Sequence, residues 1–85
     1  MKYTVIFSAS AERDLADIYN NAIDKWSITW ASDVIERLLK RDAHKVGRDC
    51  DGDRIVYVSP LLAFFAVYPE DCRVEVLQLS CVESV

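Results

Sequence analysis

The sequence predicts a single α+β domain, in which a helical hairpin packs on one face of a four-stranded, mainly antiparallel sheet in the order β-α-α-β-β-β. Three observations lead to this fold class: an apolar, β-branched run near the start, two stretches with helical periodicity, and three apolar runs in the second half. A chain of 85 residues has room for one core, so residues 1–85 are expected to form one domain.

The first strand and the first helix follow directly from residue pattern. Lys2 to Phe7 is rich in β-branched and aromatic residues, and Ser8 and Ser10 are suitable N-cap residues for a helix that begins near Ala11. Apolar side chains then recur at spacings of three and four, which predicts an amphipathic helix with its apolar stripe on Ala11, Leu15, Ile18, Tyr19, Ala22, Ile23 and Trp26.

A second amphipathic helix follows after a break around Trp26 to Thr29. It ends among Lys40 and Arg41, cations that suit a helix C-terminus, and its apolar positions are Ile28, Ala31, Val34, Ile35, Leu38 and Leu39. Trp26 and Trp30 stand four residues apart and are expected to cover the core or staple the hairpin rather than stack on bases.

The second half of the chain reads as a loop followed by three strands. Asp42 to Asp53 has no apolar period, and the apolar runs are Arg54 to Val58, Leu61 to Tyr68 and Arg73 to Cys81. The connections between these runs are short, which favours an antiparallel meander. In the core we expect Leu15, Ile18 and Leu38 to face Val5, Ala63, Phe65 and Leu77.

A two-layer fold leaves the second face of the sheet uncovered, and we look for function there. Leu62 and Phe64 share one side of their strand, Val56 joins them if Arg54 points to the open face, and Val76 is the matching position on the last strand. An apolar patch formed by Val56, Leu62, Phe64 and Val76 would bind a partner, because monomers rarely leave such area in water. The alternative is that a loop or the chain end covers it.

Composition excludes several classes of protein. Ten Lys and Arg against fourteen Asp and Glu give a formal charge of −4, which argues against generic nucleic-acid binding. With no run long enough for a membrane span or a secretory signal, a soluble, cytoplasmic protein is expected. Three cysteines without CxxC spacing indicate reduced thiols. Neither a cofactor nor a metal is predicted.

Two local patterns resemble sites but do not predict one. Asp49, Asp51 and Asp53 alternate like calcium ligands, but Pro60 stands where a bidentate Glu is needed. His44 lies among charged loop residues and is expected to be solvated, and Cys50 has three aspartates close by in sequence that would raise its pKa.

The segment order, with Ser8-Ala9-Ser10-Ala11-Glu12-Arg13-Asp14-Leu15 opening the first helix and Arg54-Ile55-Val56-Tyr57-Val58 opening the strand run, resembles the RelE/ParE toxin superfamily. The resemblance implies the toxin of a type II toxin-antitoxin module, of the plasmid stabilisation type. The RelE branch cleaves messenger RNA with Lys, Arg and Tyr on the open face. In this chain the match is poor, which leaves weak catalytic candidates only: Arg54, Arg73, Lys45 and Arg48.

The departures from the ribonuclease pattern favour the ParE branch. The third-strand arginine position holds Leu62 or Ala63, the basic position after the last strand falls at Ser80 to Val82, and the chain stops at Val85 without the terminal tyrosine. The resemblance then implies growth inhibition through a protein target, DNA gyrase in ParE-like members, and an antitoxin bound on the open face. Two alternatives stay open: a ribosome-dependent mRNA endonuclease of the RelE branch, and a non-toxic protein-binding or homodimerising module.

Overall fold

A computed structural model of the chain describes residues 2–50 and 52–82, without the side chain of Cys50. Its elements are β1 (Thr4–Phe7), α1 (Ala9–Asn21), α2 (Lys25–Asp42), β2 (Arg48–Cys50), β3 (Asp53–Val58), β4 (Leu61–Tyr68), a 3₁₀ turn (Pro69–Asp71) and β5 (Arg73–Cys81). The predicted roles of Asp51, Val85 and the Cys50 thiol lie outside the described residues. Across the described part of the chain, neither helix is both long and apolar enough to cross a lipid bilayer.

The predicted α+β class is confirmed, with five strands in the sheet instead of four. Within residues 2–50 and 52–82 the strand order is β1-β5-β4-β3-β2, and β1 pairs with β5 in parallel while the other pairs are antiparallel. The additional strand, β2, lies inside the segment predicted as a loop and pairs antiparallel with β3. The predicted meander of β3, β4 and β5 is confirmed by their antiparallel pairing.

Side-chain caps set where the helices begin. The Ser8 hydroxyl accepts the Ala11 backbone N–H at 3.0 Å, so α1 begins earlier than the predicted Ala11. The Asp24 carboxylate accepts the Ser27 hydroxyl at 2.6 Å and the Ser27 backbone N–H at 3.2 Å. These two bonds, the hydroxyl first, lower the pKa of Asp24. The helix break therefore lies at residues 22–24, and its predicted position around Trp26 to Thr29 is wrong, because Asp24 starts α2 before both tryptophans.

Polar side chains of the α1 segment bind the outer edge of β5. β1 pairs with β5 only as far as Val76, and beyond that point the Ser8 hydroxyl donates to the Leu77 carbonyl at 3.0 Å. The Asp14 carboxylate accepts the Leu79 N–H at 3.0 Å. The pairing of β4 with β5 has a bulge at the step from Phe64 to Phe65, where Leu77 is the extra residue.

The core lies between the helices and one face of the sheet. α2 contributes four buried residues at helical spacing, and the strands contribute most of the others: Ile28, Ala31, Ile35 and Leu39 meet Val56, Leu61, Ala63, Phe65, Val74, Val76 and Leu79, with Tyr3, Ala11 and Ala43 also buried. Leu15, Ile18 and Val5 pack against this cluster as predicted. Leu38 and Leu77 are only half-buried and lie outside it, so those two assignments are wrong. Leu39 is rotated about 100° from Leu38 around the helix axis, which puts Leu39 and not Leu38 in the core. The bulge displaces Leu77 from the core.

Leu39 is fully buried, and its loss is expected to open a cavity. Leu39→Ala should lower the free energy of unfolding by about 2 to 5 kcal/mol in denaturant melts. The neighbouring Leu38→Ala removes the same atoms from a half-buried position and should cost less than half as much. Equal losses in the two variants would contradict the register of α2 described above.

Candidate functional site

The sheet surface opposite the helices, called here the open face, is identified by strand register. Residues directly opposite each other in an antiparallel pair lie on the same face, and alternate residues lie on the other. Leu61, Ala63 and Phe65 are buried under the helices, so the intervening residues of β4 and their partners on neighbouring strands form the open face. These residues are Thr4, Ile6, Arg48, Ile55, Tyr57, Leu62, Phe64, Ala66, Tyr68, Arg73, Glu75, Gln78 and Ser80.

Two of the four predicted partner residues lie on the open face, and two do not. Leu62 and Phe64 are half-buried there. Val56 is opposite Ala63 and Val76 is opposite Phe65, so both point into the core, with 7% and 0% of their surface exposed. The placement of Val56 and Val76 on the open face is therefore wrong. It assumed that Arg54 points to that face, and the register places Arg54 opposite the buried Phe65.

The open face is divided into an apolar half and a polar half. In the apolar half, on β3 and β4, Ile55 lies opposite Phe64 and Tyr57 lies opposite Leu62. Tyr57 is 52% exposed, although such rings are usually covered. In the polar half, on β5, Gln78 lies opposite Phe64 and Ser80 opposite Leu62. Ile55 and Tyr57 were missed from sequence because every residue from Ile55 to Val58 is apolar or aromatic.

Arg54 is bound on the helix side of the sheet. Its Nε donates to the Val46 carbonyl at 3.0 Å, its Nη2 to the Gly47 carbonyl at 3.1 Å, and its Nη1 to the Asp49 carboxylate at 2.9 Å. Its side chain is 22% exposed. Gly47 has φ +80°, and a Cβ there would collide with the Ile55 carbonyl oxygen, so only glycine fits this close approach. Arg54 therefore ties the α2–β2 connection to β3.

Arg73 is on the opposite face of the sheet from Arg54. It lies across from Tyr68, and its guanidinium carbon is 4.6 Å from the centre of the Tyr68 ring. Its Nε is buried without a hydrogen-bond partner among the described residues. Because the sheet separates Arg54 from Arg73, the two guanidinium groups cannot bind one phosphate.

The other two basic candidates are solvent-exposed and do not complete a cluster. Arg48 lies opposite Ile55, on the open face at the β2 edge. Three strand spacings separate β2 from β5, and with the offset along the strands the backbones of Arg48 and Arg73 are about 20 Å apart. Lys45 lies in the turn after α2, where its backbone N–H donates to Asp42.

The remaining residues singled out from sequence lie away from the open face. His44 is exposed after α2, and its Nδ1 is 3.4 Å from the Tyr3 hydroxyl. Trp26 and Trp30 are 74% and 52% exposed on α2. The expectation that these tryptophans cover the core is wrong, because the buried side of α2 is formed by Ile28, Ala31, Ile35 and Leu39.

Comparison with solved structures identifies the fold. A chain of the toxin-antitoxin complex RelBE2 from Mycobacterium tuberculosis superposes with a TM-score of 0.80 at 19% identity, over 95% of this chain and 92% of the other. A chain of the chromosomal ParDE system from P. aeruginosa gives 0.71 at 24% identity, over 96% and 98%. This chain has the RelE/ParE toxin fold. The isolated E. coli RelE toxin gives 0.65 at 14% identity, over 98% and 87%. No protein-family model or curated protein matches the sequence.

Within the RelE/ParE fold of this chain, Arg54 is expected to stabilise the fold by bonding β3 to the α2–β2 connection. Arg54→Ala removes three bonds to a guanidinium and should lower the free energy of unfolding by about 1 to 3 kcal/mol in denaturant melts. Arg48→Ala removes an exposed arginine from the adjacent strand and should change it by less than about 0.5 kcal/mol. A stability loss in Arg54→Ala no larger than in this control would show that the three Arg54 hydrogen bonds do not add to the free energy of unfolding.

Proposed function

We propose that this chain is the toxin of a type II toxin-antitoxin module, that it inhibits growth through a protein target as ParE-like toxins do, and that an antitoxin neutralises it by covering the open face. The observation that carries the proposal is the apolar half of that face: Ile55, Tyr57, Leu62 and Phe64 form two directly opposed pairs, and neither helix of the described residues lies over them. The fold supports it as well, because the similar structures include toxin-antitoxin complexes, RelBE2, ParDE and the intact E. coli RelBE.

The two halves of the open face suit an antitoxin segment of a particular kind. An apolar stripe would cover Tyr57, Leu62 and Phe64, and polar groups beside it would meet Gln78 and Ser80 on β5. Aromatic and aliphatic anchors at the centre of an interface supply most of its binding energy, and a polar rim excludes water around them. An amphipathic segment satisfies both requirements.

The arrangement of the basic residues supports a ParE-like role over a RelE-like one. A ribonuclease must hold several cations and an acid around one charged phosphorus centre. Here Arg54 is bound to carbonyl groups on the helix side, while Arg73 is on the open face and Arg48 at its far edge. Leu62 or Ala63 stands at the third-strand position that carries an arginine in the RelE branch. DNA gyrase is the target that the resemblance to ParE suggests.

Growth and binding assays test the proposal together. Induced expression of the chain should stop growth, and co-expression of the protein from the adjacent reading frame should restore it. Replacing both Leu62 and Phe64 by Ser should weaken binding to that protein about 30-fold or more, measured by calorimetry, because each truncated anchor costs about 1 to 3 kcal/mol. Circular dichroism should show an intact fold.

Ile23→Ser is the matched control for this experiment. Ile23 is an exposed apolar residue between the helices, away from the open face, and its replacement should leave the affinity unchanged. An affinity that is unchanged in the folded Leu62/Phe64 double variant would place the antitoxin elsewhere. Normal growth on expression of the wild-type chain would favour the non-toxic binding module instead.

Ribosome assays separate the proposed role from the ribonuclease alternative. The purified protein should not cleave messenger RNA on programmed ribosomes above a no-protein control in primer extension. Removing one preorganised stabilising group typically lowers an enzyme's rate by about 10² to 10³, and here several such groups are not brought together. Codon-positioned cuts that disappear in Arg73→Ala would overturn the ParE-like role and support a ribonuclease with a rearranged site.

A further inference from the structure

The side of α2 opposite the core carries four residues that form a continuous stripe. Trp26, Trp30, Asp33 and Arg37 follow spacings of four, three and four, so they lie above one another along the helix. The buried residues of α2, Ile28 to Leu39, lie on the other side. We call the four residues the outer stripe.

The outer stripe has an aromatic end and a charged end. Within the described part of the chain, the aromatic end is largely exposed and the charged end forms no ion pair. Trp26 and Trp30 expose 74% and 52% of their surface. Asp33 and Arg37 are exposed, and no ion pair joins them although they are four residues apart. Glu36 and Lys40, at the same spacing three positions further along α2, do pair at 3.7 Å. Two exposed tryptophans beside two free charges indicate a contact surface.

We propose that the outer stripe is a contact between two copies of this chain. An antiparallel second copy, related by a two-fold axis between Trp30 and Asp33, places its Arg37 over Trp26 and its Asp33 beside Trp30. A guanidinium is attracted to the face of an indole, and the indole N–H can donate to a carboxylate. The same two contacts recur on the other side of the axis.

Self-complementarity is the reason that a second copy fits better than an unrelated partner. Along α2 the outer stripe has the order aromatic, aromatic, acid, base. A second copy in the antiparallel orientation therefore places a complementary charged group against each tryptophan, and the interface is complete with two copies. The two tryptophans expose roughly 250 Å² per copy, since each such side chain offers about 150 to 250 Å². This is below the area of a standard stable interface, so we expect a weak dimer that forms only at high chain concentration.

Sedimentation velocity on the purified full chain tests this contact. Measured from micromolar to millimolar chain concentration, the chain should shift from monomer to dimer, and its tryptophan emission should move to shorter wavelength as the indoles leave water. Arg37→Ala should weaken dimerisation about tenfold, because two symmetric cation–π contacts are lost. Replacing both Trp26 and Trp30 by Ser should abolish it.

Arg13→Ala is the matched control, since it removes an exposed arginine of the other helix and changes the net charge equally. It should dimerise like the wild type. A chain that stays monomeric over the whole range, or a dimer that persists in the folded Trp26/Trp30 double variant, would overturn the proposal. Because no antitoxin or cell is involved, the result is independent of the proposed toxin activity.

Discussion

The arrangement of the sheet depends on the polar contact between the α1 segment and β5. β1 stops pairing at Val76, and an unsatisfied backbone group at the buried edge beyond it would cost about 1 to 3 kcal/mol. Ser8 and Asp14 bind the carbonyl of Leu77 and the N–H of Leu79 on either side of the bulge. The bulge lets both Val76 and Leu79, three positions apart, face the helices. The bulge, flanked by this contact, therefore decides which side chains of β5 reach the open face.

Elements with one dominant periodicity could be predicted from the sequence, and elements whose placement depends on register could not. The helices and the antiparallel meander follow from apolar spacing and short connections. From Ile55 to Val58 both faces of β3 are apolar or aromatic, so its orientation follows from pairing with its neighbours and not from the pattern, and Val56 was assigned to the wrong side. β2 is three residues long and mostly charged, and it has no strand signal of its own. The parallel pairing of β1 joins residues about seventy positions apart.

The candidate site was predictable to the same extent. Leu62 and Phe64 share one side of β4 and lie on the open face, although every residue of this strand is apolar or aromatic and the pattern alone does not select that face. Arg54 was taken as a surface cation because arginine is usually exposed, yet its guanidinium is bound to two carbonyls and a carboxylate across a tight glycine turn. A sequence pattern contains no signal for a contact of that kind, because its acceptors are mainly backbone atoms.

The shortness of β2 has a consequence for how other chains approach the sheet. An exposed edge strand offers free N–H and C=O groups to which another strand can add. β2 offers only three residues, and it presents the exposed side chains of Arg48 and Asp49 at that edge. A short, charged edge strand is a poor template for strand addition. A protein that approaches from this side would therefore contact the aromatic residues of the open face instead of extending the sheet.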